Sequence, residues 1–226
     1  RIEISGMNKY SAWDIEQASG IQTGDNLLSF GKARASGKIM SSLRYVKSVR
    51  IGIKLPDTVK IEVVEVEVTY PIQDSTGKWW LVSSEGKVVD QVTGDSAAGT
   101  KITGVKLLNP VLGQMASAWQ EEQPGTDEEG NVIPVTVTAA ERLSAALEIA
   151  TALEFNGIIG KAESVNVENL SDIRMQYDKK FQVILGTKTE LPLKIRCLKS
   201  AVSQFISTEG GILDITDPNK IQFREK

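Results

Sequence analysis

The segment YVKSVRIGIKLPDTVKIEVVEVEVTY, residues 45–70, contains two alternating runs separated by a turn. On each side of Pro56-Asp57, valine and isoleucine recur at every second position, with lysine, arginine or glutamate between them. Alternation with a period of two is typical of half-buried strands, and Pro-Asp is a pair that favours turns. The segment therefore predicts a β-hairpin.

The second strand of this hairpin changes phase along its length. Apolar residues stand at odd positions up to Val63 and at even positions from Val64, with Glu65 and Glu67 between the later valines. One extra residue at Val63-Val64 would produce this pattern, so we expect a β-bulge there and expect both glutamates to face solvent. No glycine or proline interrupts residues 58–69, which predicts one long strand that joins two domains as a semi-rigid unit.

A short strand and two helices precede the hairpin. RIEIS, residues 1–5, alternates, and Ser11 with Asp14 forms a capping box at the start of a helix that Gly20 ends. A second helix extends to about Leu43. The order over residues 1–68 is therefore β-α-α-β-β.

Residues 69–226 are β-rich with two helices. Thr138 and Glu141 form a second capping box, and Thr189 is the predicted N-cap of the last helix. The apolar stripes of the two helices are Leu143, Leu147, Ala150 and Leu153, then Leu191, Ile195, Leu198, Val202 and Phe205. The remaining segments alternate as strands or carry turn residues, so the whole chain is predicted to be α+β.

The chain closes with DITDPNKIQFREK, residues 214–226. Asp217-Pro218-Asn219 predicts a turn, and the alternation after it predicts a final strand. Ile221 and Phe223 share the face that we assign to the core, whereas Gln222 and Arg224 share the other. A last strand often lies at a sheet edge, where its open backbone groups are a template for another strand.

Composition excludes several classes of function. The chain has 226 residues, 41% of them hydrophobic, with a net charge of −3, no histidine and one cysteine. The negative net charge does not suggest a basic surface for nucleic acid. No apolar run reaches the ~18 residues of a membrane helix. Without histidine, the commonest general base and metal ligand are missing. Because the chain starts at Arg1, already within the alternating pattern of residues 1–5, we expect it to be a piece of a longer protein.

The motifs that suggest chemistry do not hold in detail. Gly94–Lys101, GDSAAGTK, lacks the Gly-Lys-[Ser/Thr] order of a phosphate-binding loop and is interpreted as a loop between strands. Cys197 has no histidine to activate it and is interpreted as a packed thiol. The acidic pairs fall in a polar loop after Trp119 or on a strand surface. We therefore predict no catalytic, cofactor-binding or metal-binding residues.

The first domain resembles a POTRA domain of the FtsQ/DivIB family. The matching residues are IEISGMNKYSAWDIEQASGIQTGDNLLSF, positions 2–30, and YVKSVRIGIKLPDTVKIEVVE, positions 45–65. The rest of the chain is similar to the same family in WLVSSEGKVVD, ITGVKL, FQVILG and GGILDITDPNKIQFR.

The resemblance implies a POTRA domain over residues 1–68 and an FtsQ/DivIB-type β domain over residues 69–226. It implies no enzyme activity or cofactor, and a membrane helix upstream of Arg1 that holds this part on the outer face of the cytoplasmic membrane at the division septum. The implied role is a divisome scaffold and regulator that binds FtsL and FtsB/DivIC and helps control septal peptidoglycan synthesis. The septal peptidoglycan synthases are a further candidate partner. The expected partner-binding residues are Asp217, Asn219, Lys220, Ile221, Gln222, Phe223 and Arg224.

Other functions remain open at this point. A POTRA module of a protein-transport machine would hand on clients by strand addition. A wall-saccharide-binding module would need exposed aromatic residues, for which Trp79, Trp80 and Trp119 are the candidates. The final strand could also be an edge that its charges merely protect from self-pairing.

Overall fold

The computed structural model describes residues 1–26, 31–94, 97–120, 125–126, 132–133, 137–204 and 210–225. The chain divides into two compact units, Arg1–Val68 and Thr69–Lys226.

The first unit has the predicted β-α-α-β-β order. Its elements are β1 (Ile2–Ser5), α1 (Ala12–Ser19), α2 (Lys32–Ser42), β2 (Val46–Lys54) and β3 (Thr58–Glu65). The sheet order is β1-β3-β2, with β1 parallel and β2 antiparallel to β3. Both helices pack their apolar residues against one face of this sheet, and Ile15, Ile39 and Ile61 are fully buried. Each such side chain stabilises the fold by roughly 1.5–3 kcal/mol.

Local sequence determines where α1 begins and ends. The Asp14 amide donates to Ser11 Oγ over 3.2 Å, and the Ser11 amide donates to Asp14 Oδ2 over 2.8 Å. This is the predicted capping box, and Gly20 ends the helix in a left-handed conformation with φ of 67°. Gly6 lies so close to β3 that an added Cβ would overlap the Val63 carbonyl oxygen.

Glu65 explains the phase change in β3, and the predicted bulge at Val63-Val64 is wrong. The register shift lies in β2, between Val46 and Ser48, whereas β3 keeps its alternation. Glu65 takes the next inward position after Val63 and is 8% exposed, while Val64 faces solvent. The prediction that Glu65 points to solvent is therefore also wrong.

The Glu65 carboxylate is buried because it accepts three backbone N–H groups. Asn8 and Tyr10 donate to it over 2.9 and 3.0 Å, and Lys9 donates between them. These amides belong to the loop that leads into α1, so a carboxylate at the end of β3 organises a segment more than 50 residues earlier. A buried carboxylate is tolerated when hydrogen bonds of this kind replace its hydration.

The long strand predicted over residues 58–69 is also wrong. β3 ends at Glu65, and the chain has no regular secondary structure from Val66 to Thr69 before the next strand starts. The semi-rigid joining of the two domains stays a prediction, without the continuous strand that motivated it.

The second unit is built on a large mixed sheet. Its strands are β4 (Tyr70–Asp74), β5 (Trp79–Val82), β6 (Val88–Val92), β7 (Lys101–Leu107), β10 (Ala162–Asn166), β11 (Ile173–Tyr177), β12 (Phe181–Gly186), β13 (Gly211–Asp214) and β14 (Gln222–Glu225), and the short β8 (Gly125–Thr126) and β9 (Val132–Ile133) pair separately. The nine-stranded order is β14-β13-β12-β11-β10-β7-β4-β5-β6. Parallel pairs join β4 to β7, β7 to β10 and β12 to β13.

Within its described residues, this unit also has two α-helices, α3 (Ala139–Phe155) and α4 (Leu191–Val202), and a short 3-10 helix at Ile159–Lys161. α3 packs against β7 and against α4, and the stripe residues Ile149, Leu153, Ile195 and Leu198 are fully buried. This arrangement, together with the POTRA-type order of the first unit, confirms the predicted fold class. The capping box of Thr138 and Glu141 is present, as predicted.

The start of α4 differs from the prediction. The N-cap is Glu190, which has a left-handed φ of 57° and makes no side-chain cap, so the assignment of Thr189 is wrong. Instead, the buried Lys194 ammonium donates to the carbonyl oxygens of Leu185 and Thr187, over 2.8 Å in each case. These bonds fix the connection between β12 and α4. The expected stripe residue Phe205 lies outside the described residues.

Asp74 organises the β4–β5 hairpin and is 6% exposed. Its carboxylate accepts the Thr76 amide (2.8 Å) and hydroxyl (2.7 Å), the Lys78 amide (3.0 Å) and Trp80 Nε1–H (2.9 Å). Burial alone would raise the pKa of this carboxyl, but the donors of Thr76, Trp80 and Lys78 outweigh it, and the pKa is lowered from its ordinary value of 3.8.

Candidate partner-binding edge

The β13–β14 hairpin forms one end of the nine-stranded sheet, with β14 outermost. The two strands are antiparallel, and Leu213 lies opposite Phe223 while Asp214 lies opposite Gln222. The predicted final strand is thus present, at the edge where the sequence places it.

The hydrogen bonds of β13 establish which backbone groups of β14 face outward. The amides of Gly211 and Ile215 donate to Lys180 and Ile184 on the β12 side. Because backbone groups alternate between the two sides of a strand, those of Ile212 and Asp214 face β14, which makes their partners Arg224 and Gln222 face inward. The N–H and C=O groups of Phe223 and Glu225 therefore point to the open edge.

The side chains of the β13–β14 hairpin lie on two faces. Phe223 is half-buried and contacts Phe181 edge-on, with ring centroids 6.4 Å apart, on the same face as the buried Leu213. Gln222 and Arg224 are exposed on the opposite face, as predicted. Gly211 allows the close approach of the strands, because an added Cβ would overlap the Arg224 carbonyl oxygen.

The turn before β14 holds its shape through its own polar side chains. The Asn219 amide donates to Asp217 Oδ1 over 2.9 Å, and the Lys220 amide donates to the Asp217 carbonyl over 3.0 Å. Cys197 of α4 lies 3.6 Å from the Pro218 carbonyl oxygen, and its thiol packs against the turn. Asp217, Asn219 and Lys220 are exposed at the end of the hairpin.

Two expectations about this edge need correction. Ile221 is 39% exposed and precedes the strand, so its assignment to the core is wrong. Glu225 was not among the expected partner-binding residues, although its backbone faces the open edge. Backbone groups alternate along a strand, so Glu225 shares the outward orientation of Phe223. The sequence alone does not show whether the odd-numbered or the even-numbered residues of β14 face outward.

The three candidate tryptophans, Trp79, Trp80 and Trp119, do not line one cleft. Trp79 and Trp80 are neighbours on β5, and Trp80 is bonded to Asp74 while Lys101 Nζ lies 5.3 Å from the Trp79 ring centroid. Trp119 lines a separate cleft of about 310 Å³ whose lining contains neither of them. All three indoles are half-buried. No observation on these residues favours the saccharide-binding alternative.

The other candidate motifs have structural roles. The segment from Gly94 to Lys101 connects β6 to β7, and a strand rather than a helix follows it, although residues 95 and 96 lie outside the described part. Within the described ranges, no cluster of three or more aspartate, glutamate, cysteine or histidine side chains could hold a metal ion. None of the helices in the described chain has the length and apolar character to cross a membrane.

Comparison with known proteins identifies the class of the first unit. Residues 1–65 match the family of FtsQ-type POTRA domains, so this unit is a POTRA domain of the FtsQ type. The chain is also similar to the cell division protein FtsQ of Corynebacterium glutamicum, with 31% identity over 99 residues. That alignment covers 44% of this chain and 43% of the relative, so the chain spans less than half the length of the curated relative it matches. The two matches confirm the expected similarity to the FtsQ/DivIB family.

Proposed function

We propose that this chain is the extracytoplasmic part of a cell-division protein of the FtsQ/DivIB kind. In this proposal, residues 1–68 are the POTRA domain, residues 69–226 are the β domain, and a membrane helix outside this chain anchors both at the division septum. The protein binds FtsL and FtsB/DivIC-type partners, has no enzyme activity, and helps control septal peptidoglycan synthesis. The similarity to an FtsQ division protein and an FtsQ-type POTRA domain supports this role.

The orientation of β14 is the observation that carries the proposal. Phe223 and Glu225 direct their backbone donors and acceptors away from the sheet, where a partner strand would complete the ladder. Each backbone hydrogen bond to the partner contributes roughly 1 kcal/mol net, and side chains at alternate positions supply selectivity. Gln222 and Arg224 are exposed on one face of this strand and would contact the partner's side chains.

A proline scan of β14 tests strand addition directly. Proline at Phe223 or Glu225 removes an outward N–H, so binding of an FtsB/DivIC-type ectodomain from the same organism should weaken by about 30-fold or more, on the scale of interface hot spots. Proline at Gln222 or Arg224 removes an inward N–H and should open the β13–β14 hairpin instead. Calorimetric titration gives the affinity, and amide hydrogen exchange of β13 reports the hairpin.

Phe223→Ala is the matched control, because it removes the ring contact with Phe181 but keeps the backbone donor. It should bind the partner more tightly than Phe223→Pro does. Undiminished binding by a folded chain that lacks residues 220–226 would refute the proposal. Equal loss in all four proline variants, with β13 still protected, would exclude strand addition as the mode of binding.

A further inference from the structure

A small cleft of the second unit lies where the ends of α3, α4 and β11 meet. It measures about 250 Å³, and its lining includes Gly157, Gly160, Lys161, Tyr177 and Lys199. We call it the Tyr177 cleft. Sites that enclose a drug-sized ligand usually measure about 300–1,000 Å³, so this cleft has room for one functional group of a larger molecule or for a very small ligand.

Tyr177 is the unusual side chain of this cleft. It is 2% exposed, yet its hydroxyl makes no hydrogen bond with any residue in the described part of the chain. A buried tyrosine normally finds a partner for its hydroxyl, because an unsatisfied polar group is costly to bury. Burial and the nearby charge of Asp178 raise the pKa of this hydroxyl above its ordinary value of 10.0, so it stays protonated at neutral pH. The cleft therefore offers a donor that the fold itself does not use.

Two ammonium groups lie at the same cleft. Lys199 Nζ donates to the Asn156 carbonyl oxygen over 2.7 Å, and Lys161 Nζ lies 3.2 Å from Asp178 Oδ2. An ammonium group carries three N–H donors, so each lysine keeps donors beyond the bond that it makes within the chain. No aspartate or glutamate is among the described residues that line the cleft. The lining thus consists of donors with few acceptors.

The charge balance of the cleft selects the kind of ligand. Lys161 and Lys199 together outweigh Asp178, the carboxylate that lies beside them. The C-terminal ends of α3 and α4 also meet here and carry partial negative charge, which the bond from Lys199 to Asn156 offsets in part. This balance suits a group with a single negative charge better than a phosphate monoester, which carries more than one. A carboxylate has that charge, and it accepts hydrogen bonds through both of its oxygens.

We propose that the Tyr177 cleft binds the carboxylate group of a ligand. The Tyr177 hydroxyl donates to one carboxylate oxygen, and the ammonium groups of Lys161 and Lys199 donate to the other. Bonds between ammonium and carboxylate are stronger than neutral hydrogen bonds, so a small group is held without a large apolar contact. Gly160 leaves room for this group, because a Cβ added there would meet no atom within 4 Å.

Two kinds of molecule present this chemistry, a free organic acid and the C-terminus of a peptide. The inference does not rest on the function proposed for β14, because it uses other residues and needs no partner strand.

Titration of the full chain with acetate, acetamide, inorganic phosphate and N-acetylalanine tests the proposal. Acetate should bind saturably with a millimolar Kd, as expected for one small group, and should shift the amide signals of Gly157 and Gly160. Acetamide has a similar shape without the charge and should not bind, and phosphate should bind more weakly than acetate. Tighter binding of N-acetylalanine than of acetate would assign the cleft to a peptide C-terminus, whereas equal or weaker binding would assign it to free organic acids.

Tyr177→Phe removes the hydroxyl and keeps the buried ring, so the fold should stay intact while the Kd for acetate rises by about 5-fold or more. Lys199→Gln removes a charged donor and should raise the Kd by about 10-fold or more. If hydrogen exchange shows that Lys199→Gln loosens the end of α3, Lys161→Gln gives the same test. Lys60→Gln is the matched control, because Lys60 is a half-exposed lysine of the first unit, and it should leave the Kd unchanged.

Four results would each overturn the proposal. They are an unchanged Kd in Tyr177→Phe, equal binding of acetamide, tighter binding of phosphate than of acetate, and shift changes spread over other surfaces. Failure of the β14 proline scan would leave these outcomes unaffected.

Discussion

Two buried carboxylates, Glu65 at the end of the first unit and Asp74 near the start of the second, perform the same chemistry over different distances. Each is less than a tenth exposed, and each accepts several N–H groups. The donors to Glu65 lie 55 to 57 residues earlier in the chain. The donors to Asp74 lie only two to six residues later.

This difference determines how much each carboxylate adds to stability. A local set of bonds such as that of Asp74 partly persists in the unfolded ensemble, which lowers its net contribution to folding. The bonds of Glu65 exist only when β3 and the loop before α1 have come together. Substitution at Glu65 should therefore be the more destabilising of the two.

Glu65→Ala should have the largest effect, lowering the free energy of unfolding of the first unit by about 3 kcal/mol. The substitution removes the acceptor of three amides, and bonds to charged groups are worth roughly 1.5–3 kcal/mol each before water partly replaces them. Urea denaturation of the full chain, followed by hydrogen exchange at α1 amides, measures this change. Glu62→Ala is the control, because Glu62 lies on the same strand as Glu65, forms exposed ion pairs with Arg50 and Lys60, and should change stability marginally. Equal effects of the two variants would refute the role of Glu65.

Asp74→Ala should have a smaller effect, of about 2 kcal/mol, confined at first to the β4–β5 hairpin. It leaves Trp80 Nε1–H and the Thr76 and Lys78 amides without their acceptor, but these groups lie near the surface turn and gain water readily. Hydrogen exchange at β4 and β5 amides gives the local change, and urea denaturation gives the global one. A loss as large as that of Glu65→Ala would break the distinction between local and non-local carboxylates.

The smallest effect is the pH dependence of the Asp74 contribution. The native pKa of Asp74 is lowered from 3.8, so the stability it adds is fully present above that value and is lost as pH falls through the native pKa. The stability gap between the natural chain and Asp74→Ala should therefore narrow from about pH 5 to about pH 2. Urea denaturation of both proteins at four pH values measures it. A gap that widens on acidification would show that the native pKa is raised.

Local patterns predicted the elements that local chemistry determines. The capping boxes at Ser11 and Thr138 follow from residue types three positions apart, and the alternation around Pro56 is sufficient to place β2 and β3. The terminal hairpin likewise follows from the Asp217-Pro218-Asn219 turn. In each case the interacting groups are neighbours in the sequence.

The predictions that were wrong share a non-local cause. The burial of Glu65 depends on amides near Tyr10, and the start of α4 depends on Lys194 reaching back to β12, so neither can be derived from the residues around it. The exposure of Phe155 has one weak signal in the sequence, an apolar residue outside the helical stripe. The backbone groups of β14 that point to the open edge can be identified only from the register of β13 with its two neighbours. Alternation alone does not fix that register.

The strand order of the large sheet also constrains how the protein is made. β7 and β10 pair side by side in parallel, although Leu107 and Ala162 are separated by the whole segment that contains α3. At about 5–20 residues per second, a ribosome needs roughly 3–11 s to deliver that segment. During this interval residues 101–103, the part of β7 that pairs with β10, lack that partner, so the nascent chain passes through a stage in which their backbone groups are open to aggregation or to a chaperone. The length of this stage is thus set by the position of β10 in the gene rather than by the stability of the finished fold.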